Sequence, residues 1–235
     1  MLKQFLKYLI SHAALADALD ADNDHEALKL IAQGKEVIAM ARYGSYTFLQ
    51  RSLLAKKPAC TIALLEYRAD PNAPFQGKLF QGLTTEREFM LGHVSNIMLL
   101  MLYGGQVDTN WLEKIKDSPK YDLIKKLVED KNRSYQKIKE LRDSLNSPLP
   151  AKQQVKILRE LAQLWANEAA DEEEGEPIYK QHYNKKASEY EQRAIKLEEG
   201  LQASTLENRI TNIQEPQLSE KQQERVSLIN KLKTH

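Results

Sequence analysis

Residues Leu64 to Asn72 read LLEYRADPN: an apolar helix end, a tyrosine, then an Ala-Asp-Pro-Asn turn. Pro71, just beyond the apolar run, is a helix stop signal. Arg68 fills the slot between helix and turn. A helix that ends in a left-handed residue wants glycine there, because glycine adopts that backbone without steric cost. The same shape recurs at Leu99 to Asp108, LLMLYGGQVD, and more faintly at Leu28 to Ile38, LKLIAQGKEVI. Aligning Gly34, Arg68 and Gly104 on the turn slot places the units 34 and 36 residues apart. Recurrence at such a period is the mark of stacked units that bury their faces against one another.

The surrounding residues agree. In CTIALLEY the residues Cys60, Ile62, Ala63, Leu64 and Leu65 form a wide apolar stripe, and NIMLLMLY is apolar nearly all round. A helix with no polar face is expected to be covered on several sides.

These units resemble the ankyrin repeat, whose period is about 33 residues. Thr47, Leu49 and Ser52 fall on the Thr, Leu and Ala slots of its first helix, and Leu64, Leu65, Ala69, Asp70 and Asn72 fall on its tail. In the next unit Gly92-His93 matches the Gly-His link, and Gly104 and Val107 match the tail. The first unit keeps Leu30, Ile31, Gly34 and Val37. An eroded fourth unit follows: WLEKI, then PKYDLIKKLVEDK, with Pro119-Lys120 in the link slots and Lys131 in the cap slot. No unit carries the full Thr-Pro-Leu-His box. The resemblance covers about residues 10 to 132. It implies an all-α fold, a short ankyrin-type solenoid followed by a C-terminal helical extension or hairpin.

Three regions are therefore expected: 1–132, the degenerate repeats behind an N-terminal capping helix; 133–200, a helical extension or hairpin; and 201–235, a polar linker and short terminal helix. The start, MLKQFLKYLISH, spaces its apolar residues as an amphipathic helix rather than as an unbroken signal-peptide core. Ile124, Val128, Tyr135, Ile138, Leu141 and Leu145 predict one long helix from about Tyr121 to Asn146, broken by NSPLP. Further helices are predicted over 151–170 and 178–199, separated by the acidic DEEEGEP. STLENRITNIQEPQLS reads as a linker, and Ser219 to Lys233 as a last short helix.

The chemistry is sparse. A net charge of +1 sets up no global field to recruit nucleic acid. No apolar run approaches the roughly 18 residues of a membrane span. Cys60, the single cysteine, allows neither an internal disulfide nor a thiolate zinc cage, and it reads as a buried structural residue. No histidine pairs with a second His or Cys at metal-ligand spacing. His93 is expected to bond the backbone in its link, and His182 to lie beside a solvated acidic loop. No phosphate-cradling glycine loop, nucleophile elbow or cofactor motif occurs, so no catalytic, cofactor or metal residue is assigned.

In ankyrin repeats the turn tips and the end of the first helix line a concave groove for a protein partner. The resemblance places Tyr43, Tyr46, Leu54 and Tyr67 there in one unit, and Phe80, Met90, Leu91 and Tyr103 in the next, with Arg51 and Arg87 at the rim. Apolar and aromatic surface of this kind marks contact. Either an outside partner fills the groove or the chain's own C-terminal helices fold into it. The rival from another class is an enzyme with its site in the C-terminal helices and repeats that select substrate. A cytoplasmic scaffold fits the sequence. So does a secreted bacterial effector acting in a host cell, because divergent ankyrin units with such a tail resemble those effectors, and EKQQERVSLINKLKTH is compatible with a type IV secretion signal.

Arg68 in a left-handed slot costs on the order of 1 kcal/mol against glycine. Arg68→Gly is expected to raise stability by about that much in urea denaturation.

Overall fold

The computed structural model describes residues 2–76, 81–171 and 177–214, and it is mostly helical. Helix α1 (Leu2–Asp20) and α2 (Asp24–Met40) come first, the latter capped by the Asn23 side chain on the Glu26 amide at 3.2 Å. Two units of one plan follow. The first is the hairpin β1–β2 (Arg42–Tyr43, Tyr46–Thr47), α3 (Phe48–Leu54) and α4 (Pro58–Glu66). The second is the hairpin β3–β4 (Pro74–Gln76, Gln81–Leu83), α5 (Thr84–Met90) and α6 (Val94–Leu102). A one-turn α7 (Trp111–Lys114) leads to α8 (Tyr121–Ser144), α9 (Ala151–Asp171) and α10 (Pro177–Gln214).

The turns repeat with the units. Lys56 and Gly92 take left-handed backbone between the paired helices, and Arg68 (φ 68°) and Gly104 (φ 94°) take it after them. Arg68 therefore does hold the strained slot. Two neighbouring assignments shift. Gly34 does not turn; Lys35 does, at φ 45°. A Cβ on Gly34 would lie 2.2 Å from Ile38 Cδ1, so Ile38 packs on the glycine and the turn slips one residue. Lys131 caps nothing either. It sits inside α8, which carries no glycine or proline to break it, and its ammonium bonds Glu168 at 3.1 Å.

The units are fastened by buried polar side chains. Thr47 and Gln50 close a capping box on α3 (3.1 and 2.9 Å), which satisfies orphan amides at the helix start. The Gln50 amide nitrogen then crosses to the next unit, donating to the Ala73 and Pro74 carbonyls and the Thr84 hydroxyl (3.2, 3.0 and 2.9 Å). Directly before Ala73, Asn72 donates to the Gly104 carbonyl at 2.9 Å and accepts from the Gln106 amide at 2.7 Å.

The core runs through all these elements. Ile97, Leu99, Leu100 and Leu102 of α6 are wholly buried, because α5 lies on one side of that helix and α8 on another. Ile124, Val128, Tyr135, Ile138 and Leu141 keep the predicted helical spacing and are buried. Residue 132 lies within α8, so one continuous helix belongs to both halves of the chain. Helices α9 and α10 form a long antiparallel hairpin with Trp165, Tyr183 and Ala194 inside. The expected linker from Ser204 is helical as far as Gln214, since no glycine or proline interrupts α10 between Gly200 and Pro216. The predicted helix at Ser219 to Lys233 lies outside the described residues.

Gln50→Ala is expected to lower stability by about 3 kcal/mol, because it strands buried acceptors in both units. Urea denaturation measures it.

Candidate functional site

The hairpins and the first helices α3 and α5 make one face. Tyr43 and Tyr46 are register partners across β1 and β2. The Arg51 guanidinium lies 5.4 Å from the centre of the Tyr43 ring and bonds Asp20 at 2.8 Å. The Tyr46 ring stands 5.2 Å from Phe75, and the Arg87 guanidinium lies 5.0 Å from Phe75 on its other contact. Two aromatic–arginine contacts therefore sit on consecutive units, the first on the exposed Tyr43 and the second on Phe75, which is buried. Arg42 joins the hairpins through the Pro74 carbonyl at 2.6 Å. Leu54 and Leu91, at matching ends of α3 and α5, are 39% and 48% exposed, and Tyr43 is 36% exposed.

Among the predicted groove residues, Tyr43, Tyr46, Arg51 and Arg87 come together on this face. Leu54, Leu91 and the half-buried Met90 lie at the opposite ends of the same short helices. Tyr67 is half-buried at the end of α4, packed on the core. Phe80 lies outside the described residues. Arg42 belongs to the face, Phe75 lies buried beneath it, and both were missed. The available signal was the Gly44-Ser45 turn, a hairpin feature.

Tyr103 does not belong to this face. It ends α6 on the second-helix side, where α9 and α10 cover it. Its hydroxyl donates to Glu66, and His182 Nε2 lies 3.0 Å from the same oxygen. Lys186 bonds Glu66 as well, the Arg142 guanidinium sits 4.9 Å over the Tyr103 ring, and Trp165 meets that ring edge-on at 6.0 Å. Nearby, Tyr179 donates to Asn96 at 2.7 Å, and Tyr135 donates to Glu168 at 2.7 Å. The C-terminal hairpin thus docks on α4, α6 and α8. The expectation that it fills the groove is met only at Tyr103, because the apolar surface left to cover lay on the second helices.

Burial dominates the electrostatics here. It pushes the Tyr103 hydroxyl well above its ordinary pKa, helped by Glu66. It pushes His182 down to about 4, although Glu66 pulls the other way. Burial would raise the Glu66 carboxyl, but Lys186 and the Tyr103 hydroxyl outweigh it and hold it low. Glu168 goes up because burial exceeds the help of Tyr135 and Lys131. His182, expected beside a solvated loop, is instead 8% exposed and turned toward Tyr103 and Glu66.

His93 differs from expectation too. Its Nδ1 meets the carboxylate of Glu88 at 2.7 Å rather than a backbone group. Glu88 is fully buried and also takes hydrogen bonds from Arg87 and, at 2.8 Å, from Asn96. A buried carboxylate needs such partners, and they pull the imidazole off the backbone. His93 lines a cleft of about 1250 Å³ between the starts of α4, α6 and α8 and the adjoining ends of α9 and α10. Cys60 is wholly buried, and burial pushes its thiol up to about 11. Among the described residues no group of three or more His, Cys, Asp or Glu could hold a metal ion, and no helix is long and apolar enough to cross a membrane.

Tyr103→Phe removes the shared hydroxyl between Glu66 and His182. It is expected to cost about 1–3 kcal/mol of stability in urea denaturation. Compared with known proteins, the chain matches no family model, no curated protein and no solved structure.

Proposed function

We propose that the chain is a divergent ankyrin-type interaction module that grips a protein partner through the face built by its two hairpins and by α3 and α5. The hairpin–helix–helix unit, its repetition and the left-handed turns at Arg68 and Gly104 support the ankyrin reading. The observation that carries the binding reading is the exposed Tyr43 ring beside Arg51, continued by Tyr46 and Arg87, which both rest on the buried Phe75 ring. Aromatic and arginine side chains supply most of the energy at protein interfaces. The buried links from Gln50 and Asn72 pre-set the spacing of the units, so little ordering entropy remains to oppose binding.

The enzyme reading needs a titratable pair open to a concave site. Glu66, Tyr103 and His182 form a perturbed set, but Glu66 reaches the surface and none of the three lines the cleft. Action inside a host cell is a further proposal resting on the resemblance to effectors and on the C-terminal tail beyond Gln214. A translocation reporter fused to the whole chain tests it.

The face is tested with a Tyr43→Ala variant, which changes an exposed side chain of the face. Binding to any partner recovered by crosslinking is expected to weaken at least tenfold, while Lys185→Ala, on α10, leaves it unchanged. Equal binding by both variants sinks the assignment.

A further inference from the structure

We propose that Glu66, Tyr103, His182 and Lys186 form an acid-sensitive clasp. It holds the α9–α10 hairpin on α4, α6 and α8, and it loosens when His182 takes up a proton, uncovering Tyr103, Trp165 and Tyr183. The clasp lies on the second-helix side and stands independently of the partner face.

The directions of the hydrogen bonds fix where His182 carries its first proton. The Glu66 carboxylate can only accept, and it takes the Tyr103 hydroxyl proton and a Lys186 proton. The Tyr103 oxygen is left with lone pairs, so His182 Nε2, 3.0 Å away, must donate to it. Nε2 therefore carries a proton in the neutral ring and in the charged one, and the two states differ only by a proton on Nδ1. A second proton could go only on Nδ1, in a ring hemmed by Trp165 at 5.8 Å and Tyr183 at 5.9 Å.

The charges around this ring do little to favour a cation. From α4 comes Glu66, 3.8 Å from Nε2, whose charge Lys186 and Tyr103 already share. From α8 comes Arg142, over the Tyr103 ring. From α10 itself come Lys185 and Lys186, which oppose a further positive charge, and Glu189, which favours it but bonds Lys186 at 3.0 Å. From α9 the facing group is the indole of Trp165, which carries no charge. Burial is the largest influence, and it holds His182 at about 4.

Linkage fixes the sign. A released His182 binds its proton as pH falls through about 6.5, whereas the docked one waits until about 4. Docking is thus favoured most above 6.5 and weakens as pH falls. Between pH 7.5 and 5.5 the opening constant is expected to rise about tenfold. Glu168, raised by burial at the α8–α9 seam, opposes release nearer the carboxylate range.

Hydrogen exchange of the full chain tests the clasp, with rates corrected for the intrinsic effect of pH. Protection of α9 and α10 amides is expected to fall about tenfold from pH 7.5 to 5.5, while α3 and α5 stay unchanged. In His182→Gln, which keeps a donor for Tyr103 but cannot titrate, the difference is expected to vanish. Equal protection at the two pH values overturns the proposal, and so does an equal loss across all helices. If His182→Gln does not fold, the imidazole resonances of the native chain decide. A folded chain in which His182 titrates at 6.5 or above overturns it; no titration down to pH 5 supports it.

Discussion

The Gln50 side chain accepts at the start of α3 with its oxygen, and with its nitrogen reaches the Ala73 and Pro74 carbonyls and the Thr84 hydroxyl of the next unit. Thr84 in turn donates to Ala73 through both its amide (3.1 Å) and its hydroxyl (2.8 Å). One buried amide thus sets how far apart the two hairpins stand. Everything on the open face inherits that spacing, including the Tyr46–Phe75 contact and the reach of Arg42 to Pro74. Buried polar groups are costly unless every atom is used, and this network uses both ends of the amide. It holds the face by geometry rather than by apolar packing alone.

The opposite side obeys a different constraint. Helix α6 has no polar face, so a two-layer stack would leave part of it in water. Helix α8 covers one flank, and the α9–α10 hairpin covers the end at Tyr103. Burying Trp165 and Tyr183 there contributes roughly 1.5–3 kcal/mol for each large side chain. Four of the polar groups drawn in by that burial bond as a chain from His182 through Tyr103 and Glu66 to Lys186, while the Trp165 indole N–H is buried with no hydrogen-bond partner among the described residues. The same docking that completes the core therefore shifts the titration of Tyr103 and His182. Hydrophobic demand decided where the C-terminal half went, and electrostatics followed.

Periodicity carried most of the helical architecture. The spacing from Ile124 to Leu145 placed α8 within two residues, and the tail motif located both left-handed turns at Arg68 and Gly104. The hairpins were legible but unread: Tyr43-Gly44-Ser45-Tyr46 carries a two-residue hairpin turn, with Gly44 at φ 67°. The helical periodicity of the flanking segments drew the reading away from these short strands. The candidate face was legible in most of its members, because Tyr43, Tyr46, Arg51 and Arg87 lie in slots fixed by the local unit.

What the sequence determined by itself is local: which residues are helical, where the units turn, and which faces are apolar. These follow from backbone sterics and from a periodicity of a few residues. Which layer would cover Tyr103, which carboxylate would capture His93, and that His182 would lose its proton were decided only by the tertiary fold. Each depends on groups distant in the chain, 79 residues in the pairing of Tyr103 with His182. A desolvation penalty arises only when another element arrives to exclude water, and no single stretch of sequence carries that information.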